Sequence, residues 1–206
     1  MSNETLTLPS AENVERACEE FDSEINNPDP ALSELFTHFP KNTELKHVLL
    51  KVASLNAFYS TWIRASTSYS QTDEKYMPTI HDIARHIVDR NVDEALSRGD
   101  EAVVTDIAEI KLGMKIRYCY SFATKYCSFH QPDRYTIFDS RVTKYLWQLK
   151  KAGGISKFKQ QVLWNYPDLK KIIDELRLRY QLQDFSYKKI DKFLYLEGGK
   201  LLALGV

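Results

Sequence analysis

The spacing of apolar residues constrains the fold of this chain most strongly. Apolar side chains recur mainly at intervals of three and four residues, the spacing that places them on one face of an α-helix. Only seven glycines and seven prolines interrupt the 206 residues, and these are the residues that most disfavour helices. The sequence therefore predicts an all-α fold, without an internal repeat or a low-complexity linker.

Capping residues and helix breakers define the expected helix boundaries. An acidic amphipathic helix is expected from Ser10 to Ile25, before the proline-containing stretch 26–30. The broadest apolar stripe predicts a helix from about Thr43 to Arg64. A long buried helix is expected over Ile110–Phe129, ending before Pro132. Further helices are expected near residues 79–88, 92–96, 102–110, 139–151, 156–164, 167–180 and 186–194.

The net charge is zero, but opposite charges are concentrated at the two ends of the chain. Residues 1–34 contain nine acidic residues and one basic residue, whereas residues 141–206 contain fourteen basic and six acidic residues. A hydrophobic content of 43% is enough for a core, which excludes a disordered polyampholyte, and the neutral total excludes a generic basic nucleic-acid coat. No stretch approaches the roughly 20 apolar residues that cross a bilayer. A cytoplasmic protein without membrane contact is expected.

The cysteines predict neither a disulfide framework nor a metal site. There are three, an odd number, and no two of them form a C-x-x-C pair. No histidines lie near them at the spacing of a zinc site. The sequence therefore predicts no metal and no cofactor.

Residues 121–144 carry the most informative pattern. A buried helix containing Ser121 is followed by a proline-containing turn and by the extended segment Tyr135–Phe138, which delivers Asp139 to the start of the next helix. This arrangement resembles the helix-hairpin-helix (HhH-GPD) DNA glycosylase superfamily, in which an apolar–Asp–(Thr/Ser)–(His/Arg)–Val pattern carries the catalytic aspartate. Ser140-Arg141-Val142 matches the residues after that aspartate. The resemblance implies a compact two-lobed helical fold and a catalytic role for Asp139.

The resemblance also implies whether strand cleavage follows base excision. Ser121 lies eighteen residues before Asp139, where bifunctional members of the superfamily carry a lysine that forms a Schiff base. Serine has no amine, so base excision without strand cleavage is implied. Lys125, one helical turn later, is the alternative amine.

Residues of the base pocket are assigned by the same resemblance, which covers residues 44–147, about half of the chain. Asn56 occupies the place of the Asn or Gln that fills the gap left by a flipped base. Tyr59, Tyr120 and Lys125 are the other candidates for the pocket, as stacking surfaces or as a group that recognises the polar edge of the base.

The sequence departs from the superfamily in two places. The Gly-x-Gly of the hairpin, whose amides bind a DNA phosphate, is replaced by Arg117-Tyr118-Cys119, so the hairpin is degenerate. Phosphate binding would then fall to the side chains of Lys111, Lys115 and Arg117, or to Gly113 upstream. The four-cysteine iron–sulfur loop of some members is absent. Downstream, Arg141 and Lys144 complete the set of candidate DNA-binding residues.

The implied function is a monofunctional DNA glycosylase acting on double-stranded DNA as a monomer. The segment 187–195 resembles small divergent bacterial relatives from phage defence, which points to a hypermodified phage base such as glucosylated hydroxymethylcytosine. Residues 1–206 would form one domain, with an acidic segment at 1–34 packing on the core, a central catalytic region at 43–150 and basic helices at 155–206.

The same residues also allow other interpretations. Asp139-Ser140 is also typical of an ordinary helix N-cap. The basic residues after position 140 are typical either of solvated helix faces or of a phosphate-binding surface. A non-catalytic helical module that binds DNA or protein on the same scaffold is the alternative function.

Overall fold

The structure, a computed structural model, describes residues 6–25, 27–61, 63 and 78–205. The prediction of an all-α fold is confirmed, because helices account for all regular structure in the described residues except one short hairpin. The elements are α1 (Ala11–Ser23), α2 (Asp29–His38), α3 (Leu45–Tyr59), α4 (Ile80–Arg90), α5 (Asp93–Arg98), α6 (Ala102–Ala108), β1 (Glu109–Leu112), β2 (Lys115–Tyr118), α7 (Tyr120–His130), α8 (Ser140–Lys151), a 3₁₀ helix (Gln160–Trp164), α9 (Tyr166–Arg179) and α10 (Tyr187–Ala203). No helix among the described residues is both long and apolar enough to cross a membrane.

The chain divides into two compact units. Residues 1–27 and 132–206 form the first unit, and residues 28–131 form the second. The first unit is thus discontinuous in sequence and joins α1 to α8–α10. The predicted central region, 43–150, does not coincide with either unit, because contacts between distant segments leave no local signal.

Helix α10 is the centre of the first unit. Its side chains Ile190, Phe193 and Leu194 are completely buried, and both α1 and α8 pack against it. Gly198 permits the close contact with α8, because a Cβ at this position would lie 2.0 Å from the carbonyl oxygen of Arg141. The first turn of α8 is therefore held directly against the backbone of α10.

The acidic α1 neutralises part of the charge of α10. Asp22 lies 2.6 Å from the Lys192 ammonium, and Glu20 lies 3.3 Å from that of Lys200. The hydroxyl of Ser10 accepts a hydrogen bond from the Asn13 N–H and caps α1 at its predicted start. Some of the basic residues in the C-terminal third are thus paired within the first unit.

A buried lysine organises the second unit. The Lys51 ammonium donates to the carbonyl oxygens of Phe39 and Lys41, both at 3.1 Å, and to Oδ1 of Asn42 at 2.5 Å. Its Nζ also lies 3.2 Å from Nε2 of His130. Burial lowers the pKa of Lys51 to about 8, and burial followed by the Lys51 charge lowers the pKa of His130 well below 6.5. The network therefore holds a lysine against a neutral imidazole.

This network predicts loss of stability in acid. Below pH 6.5 the unfolded chain binds a proton at His130 that the folded chain does not, so the contribution of His130 to the free energy of unfolding falls as the pH falls. In His130→Gln this contribution is absent, so the variant should gain stability relative to the wild type as the pH falls from 7 to 5. Urea denaturation at pH 7 and at pH 5 measures the free energy of unfolding of each variant. His81→Gln, on the exposed side of α4, is the control, and equal pH slopes in the wild type and His130→Gln would contradict the prediction.

The prediction of one helix over Ile110–Phe129 is wrong in its first half. Strands β1 and β2 form an antiparallel hairpin in which Glu109 pairs with Tyr118 and Leu112 pairs with Lys115. Gly113 opens the two-residue turn with a φ of +62°, a conformation that favours glycine. The isoleucines and tyrosines of this stretch fit both a helix and a strand, and the long-range contacts that favour the hairpin are not visible locally.

Other boundaries also differ from the predictions. The sequence predicts no helix at α2, because the Asn-Pro-Asp-Pro stretch is typical of a helix breaker, whereas its second proline lies in the first turn of the helix. Helix α3 ends at Tyr59, and Ser60 adopts a left-handed conformation; positions 62 and 64 of the predicted helix lie outside the described residues. The helix expected over 156–164 is a 3₁₀ helix that begins at Gln160.

Candidate functional site

Asp139 lies at the junction of the extended segment 135–138 and α8. Its Oδ1 accepts a hydrogen bond of 2.9 Å from the backbone N–H of Val142, so it is the N-cap of the helix. Its backbone carbonyl accepts hydrogen bonds from the N–H and the hydroxyl of Thr143. The side chain is half-buried. A carboxylate here is oriented by the capping bond and retains access to solvent.

Asp191 of α10 anchors the segment that precedes Asp139. Its two carboxylate oxygens accept hydrogen bonds from the Thr136 hydroxyl at 2.6 Å and from the Ile137 N–H at 2.9 Å. The N–H of Thr136 donates to the hydroxyl of Tyr166 at 3.0 Å. The extended backbone before Asp139 is therefore fixed to both α9 and α10, which restricts where the Asp139 carboxylate can lie.

Asp191 titrates in an unusual range. Complete burial raises the pKa of this carboxyl to about 7, against the lowering effects of the Thr136 hydroxyl, Lys188 and the Ile137 N–H. The charge of Asp139 raises it further. A neutral Asp191 can donate its proton to the Thr136 hydroxyl oxygen and still accept from the Ile137 N–H, so both protonation states fit the same backbone.

Replacing Asp191 with asparagine should destabilise the protein in a pH-dependent way. The folded chain holds a proton on Asp191 between about pH 4 and 7 that the unfolded chain does not. The contribution of Asp191 to the free energy of unfolding therefore decreases as the pH rises through that range, by up to about 1.4 kcal/mol per pH unit. Asp191→Asn lacks this contribution. In urea denaturation, the loss in free energy of unfolding relative to the wild type should therefore be larger at pH 4.5 than at pH 8. An equal cost at both pH values would contradict the prediction.

The two cations predicted on α8 have different surroundings. The guanidinium carbon of Arg141 lies 4.0 Å from the ring centroid of Tyr195, and its side chain also contacts Gly199, so Arg141 stacks on α10. Lys144, one turn further, is half-buried. The structure thus brings Asp139, Arg141 and Lys144 together on the first turns of one helix.

The residues predicted for the base pocket belong to the second unit. Asn56 accepts hydrogen bonds from the Thr61 hydroxyl and the Ile63 N–H, and its amide donates to the Ile63 carbonyl. Its side chain therefore organises the turn after α3. Tyr120 is 1% exposed and stacks on Tyr118, with ring centroids 5.5 Å apart, which makes it a core residue of α7.

Tyr59 and Lys125 do meet. The buried Lys125 ammonium lies 5.7 Å from the Tyr59 ring centroid and donates to the Ser121 hydroxyl at 2.8 Å. The Tyr59 hydroxyl in turn donates to Asp29. This chain of four polar side chains is only partly predictable from the sequence, because Asp29 lies in α2, where no helix was expected.

The three candidate phosphate ligands of the hairpin lie on its two strands. Lys111 and Lys115 are exposed, and Arg117 is half-buried. Met114 at the turn is fully exposed, whereas the N–H of Cys119 donates to the carbonyl of Ala108 at 2.8 Å. That amide is engaged within the fold, so the side chains are the cationic groups that the hairpin presents.

Sequence reasoning missed the buried polar groups that support these sites. Asp191, Thr136 and Lys51 were not singled out, although an aspartate or lysine within an apolar helix pattern is a usable signal, since such a residue is rarely buried without partners. Among the described residues, no group of three or more His, Cys, Asp or Glu side chains is arranged to hold a metal ion.

Comparison with known proteins connects the whole second unit and short parts of the first unit to a family. The HI_0787_N family, described as an N-terminal domain, matches residues 13–134. An uncharacterized protein of Haemophilus influenzae (strain ATCC 51907 / DSM 11121 / KW20 / Rd) is 37% identical over 123 residues, which are 59% of this chain and 58% of that protein. The chain thus spans just over half the length of this relative. No solved structure matches. Because the family match covers more than half of the residues, the chain belongs to the HI_0787_N family.

Proposed function

We propose that the protein is a cytoplasmic monofunctional DNA glycosylase that removes a modified base and leaves an abasic site. The observation that supports this most is the fixed position of Asp139, with a capping bond on one side and a doubly anchored extended segment on the other. A carboxylate that stabilises a developing cation must be oriented before the reaction begins. Asp139 meets this requirement, and its pattern Phe138-Asp139-Ser140-Arg141-Val142 resembles the catalytic segment of helix-hairpin-helix glycosylases.

The proposed reaction breaks the bond between C1′ and the base nitrogen. The electron pair leaves with the base, which takes up a proton from solvent, and positive charge develops on the sugar. The Asp139 carboxylate stabilises that charge, orients a water molecule and accepts its proton as the water oxygen bonds to C1′. The sum is hydrolysis, and no covalent intermediate with the protein forms. Ser121, in place of a lysine, is consistent with this outcome.

DNA binding is proposed to use side-chain cations. Lys111, Lys115 and Arg117 of the hairpin, and Lys144 of α8, can neutralise phosphates without the glycine-rich turn. Because each such contact releases counterions, binding should weaken steeply as the salt concentration rises.

The experiment that tests the function is base release from defined duplexes. Four DNAs that carry unmodified, methylated, hydroxymethylated or glucosylated cytosine are incubated with the protein, and abasic sites are converted to breaks with alkali. We expect abasic sites in at least one modified DNA, and intact strands when alkali is omitted. Strand breaks without alkali would contradict a monofunctional enzyme.

A non-catalytic DNA-binding module is the second candidate. One observation favours it: the hydrogen bond of Asp139 to Val142 is also what a purely structural N-cap makes. Salt-dependent binding to all four duplexes without base release from any of them would support this candidate over the glycosylase.

A further inference from the structure

An aromatic and basic cleft opens on the first unit close to Asp139. It is a cleft of about 460 Å³ between α8 and the 3₁₀ helix, largely open to solvent. Its lining is Trp147, Lys150, Phe158, Lys159, Gln160, Gln161 and Trp164. None of these seven residues, all in the described part of the chain, is acidic.

The walls of the cleft offer stacking surfaces. The Lys150 ammonium lies 3.7 Å from the Trp147 ring centroid, and Trp147 packs edge-on against Phe158. Trp164 on the opposite wall is 55% exposed, an unusual exposure for a side chain that large. Its ring also lies 4.7 Å, between centroids, from that of Phe138, the residue before Asp139. The cleft therefore begins beside the candidate catalytic segment.

The lysines of residues 150–159 differ from several cations of α9 and α10. Lys171, Arg177, Lys192 and Lys200 of α9 and α10 each form a salt bridge. In contrast, Lys150, Lys151, Lys157 and Lys159 form none with any carboxylate among the described residues. Two of these lysines, Lys150 and Lys159, line the cleft, and Lys151 lies 5.9 Å from the Trp147 ring centroid.

We propose that this cleft binds an unpaired nucleotide of a DNA strand. The base stacks on Trp164 with its polar edge toward the amides of Gln160 and Gln161, and Lys150 and Lys159 neutralise the flanking phosphates. Aromatic rings beside unpaired cations are the arrangement that binds single strands without sequence preference. The choice of DNA as the strand rests on the proposed function, whereas the stacking and charge argument does not.

Binding of an unmodified oligonucleotide tests the cleft without requiring base excision. The affinity of the full chain for a fluorescent single-stranded dT12 is measured by anisotropy over a series of salt concentrations. Trp164→Ala should weaken binding by about 5- to 150-fold, the range expected for loss of one stacked base, and Trp164→Phe should retain most of the affinity. Lys150→Ala with Lys159→Ala should reduce the salt slope by about 0.7 for each lost phosphate contact.

The control variants lie on the same unit outside the cleft. Leu178→Ala removes another exposed apolar side chain, and Lys171→Ala removes a lysine of α9; both should bind dT12 like the wild type. Asp139→Asn should bind dT12 like the wild type although it no longer excises a base. The experiment therefore tests nucleotide binding by the cleft separately from glycosylase activity.

Three results would overturn the proposal. The first is equal affinity of Trp164→Ala, Trp164→Phe and the wild type for dT12. The second is equal affinity for free thymidine monophosphate and for dT12, which would make the cleft a site for free nucleotides. The third is equal or tighter binding of the matched RNA, which would contradict DNA as the strand.

Discussion

Replacing Asp139 with asparagine is expected to reduce the rate of base excision by about 1,000-fold while the fold remains intact. Asparagine caps helices about as well as aspartate, so the hydrogen bond to the Val142 N–H is retained. The variant loses the negative charge that stabilises the cationic sugar. It also loses the carboxylate that accepts a proton from the attacking water. The variant therefore separates the catalytic role of Asp139 from its structural role.

The measurement is single-turnover formation of abasic sites on the DNA that the wild type processes best. Asp168→Asn removes a carboxylate from the first turn of α9 in the same unit and controls for the change in net charge; it should remain fully active. Asp139→Ala should lose activity and also about 1 kcal/mol of stability, because the cap is removed. An Asp139→Asn variant with normal activity would exclude the proposed mechanism.

Replacing Gly198 with alanine is expected to destabilise the first unit by about 3 kcal/mol or more. A Cβ at position 198 would lie 2.0 Å from the carbonyl oxygen of Arg141, and backbone atoms cannot move away as a side chain can. Helices α8 and α10 would have to separate. Since this contact lies within two residues of Asp139, base excision should decrease together with stability.

Gly199→Ala is the matched control for this prediction. A Cβ at position 199 would approach only the side chain of Arg141, with Nη1 nearest at 3.3 Å and Cδ at 3.5 Å, atoms that can move more easily than backbone. The substitution should be neutral, or stabilising by up to about 1 kcal/mol through helix propensity. Thermal unfolding of the two variants in parallel measures the difference, and similar melting temperatures would contradict the close contact of the two helices.

Local capping chemistry explains which parts of the fold were predictable. Ser10, Thr79 and Asp139 each cap a helix within one residue of the predicted start, because an N-cap involves residues only two or three positions apart. The position of Asp139 at the beginning of α8 could therefore be predicted without knowledge of any tertiary contact.

Contacts between distant residues explain what could not be predicted. The Asp191 carboxylate holds Thr136 and Ile137 across more than 50 residues of sequence, and nothing near Asp191 indicates that pairing. Trp147 and Trp164 lie on different elements, so their convergence on one cleft has no local signature. The hairpin that replaces the first half of the predicted helix similarly depends on where its buried face packs, since its apolar spacing fits both structures.

The structure also changes the meaning of the charge asymmetry. Part of the positive charge of the C-terminal third is paired with acidic residues, including Glu20 and Asp22 of α1. The lysines around the cleft are not paired in this way. Fewer basic residues are therefore available to attract DNA than the sequence indicates.

Binding of a charged mimic of the reacting sugar tests the central claim, the action of the Asp139 carboxylate at C1′, most directly. Two duplexes are compared, one with a cationic pyrrolidine and one with an uncharged tetrahydrofuran at an abasic position, so the identity of the excised base does not matter. Because transition-state mimics bind about 100-fold or more tightly than neutral analogues, the wild type should prefer the pyrrolidine duplex by a similar factor, and Asp139→Asn should bind both duplexes equally. Equal binding of both duplexes by the wild type, or an unchanged preference in Asp139→Asn, would contradict the catalytic role of Asp139.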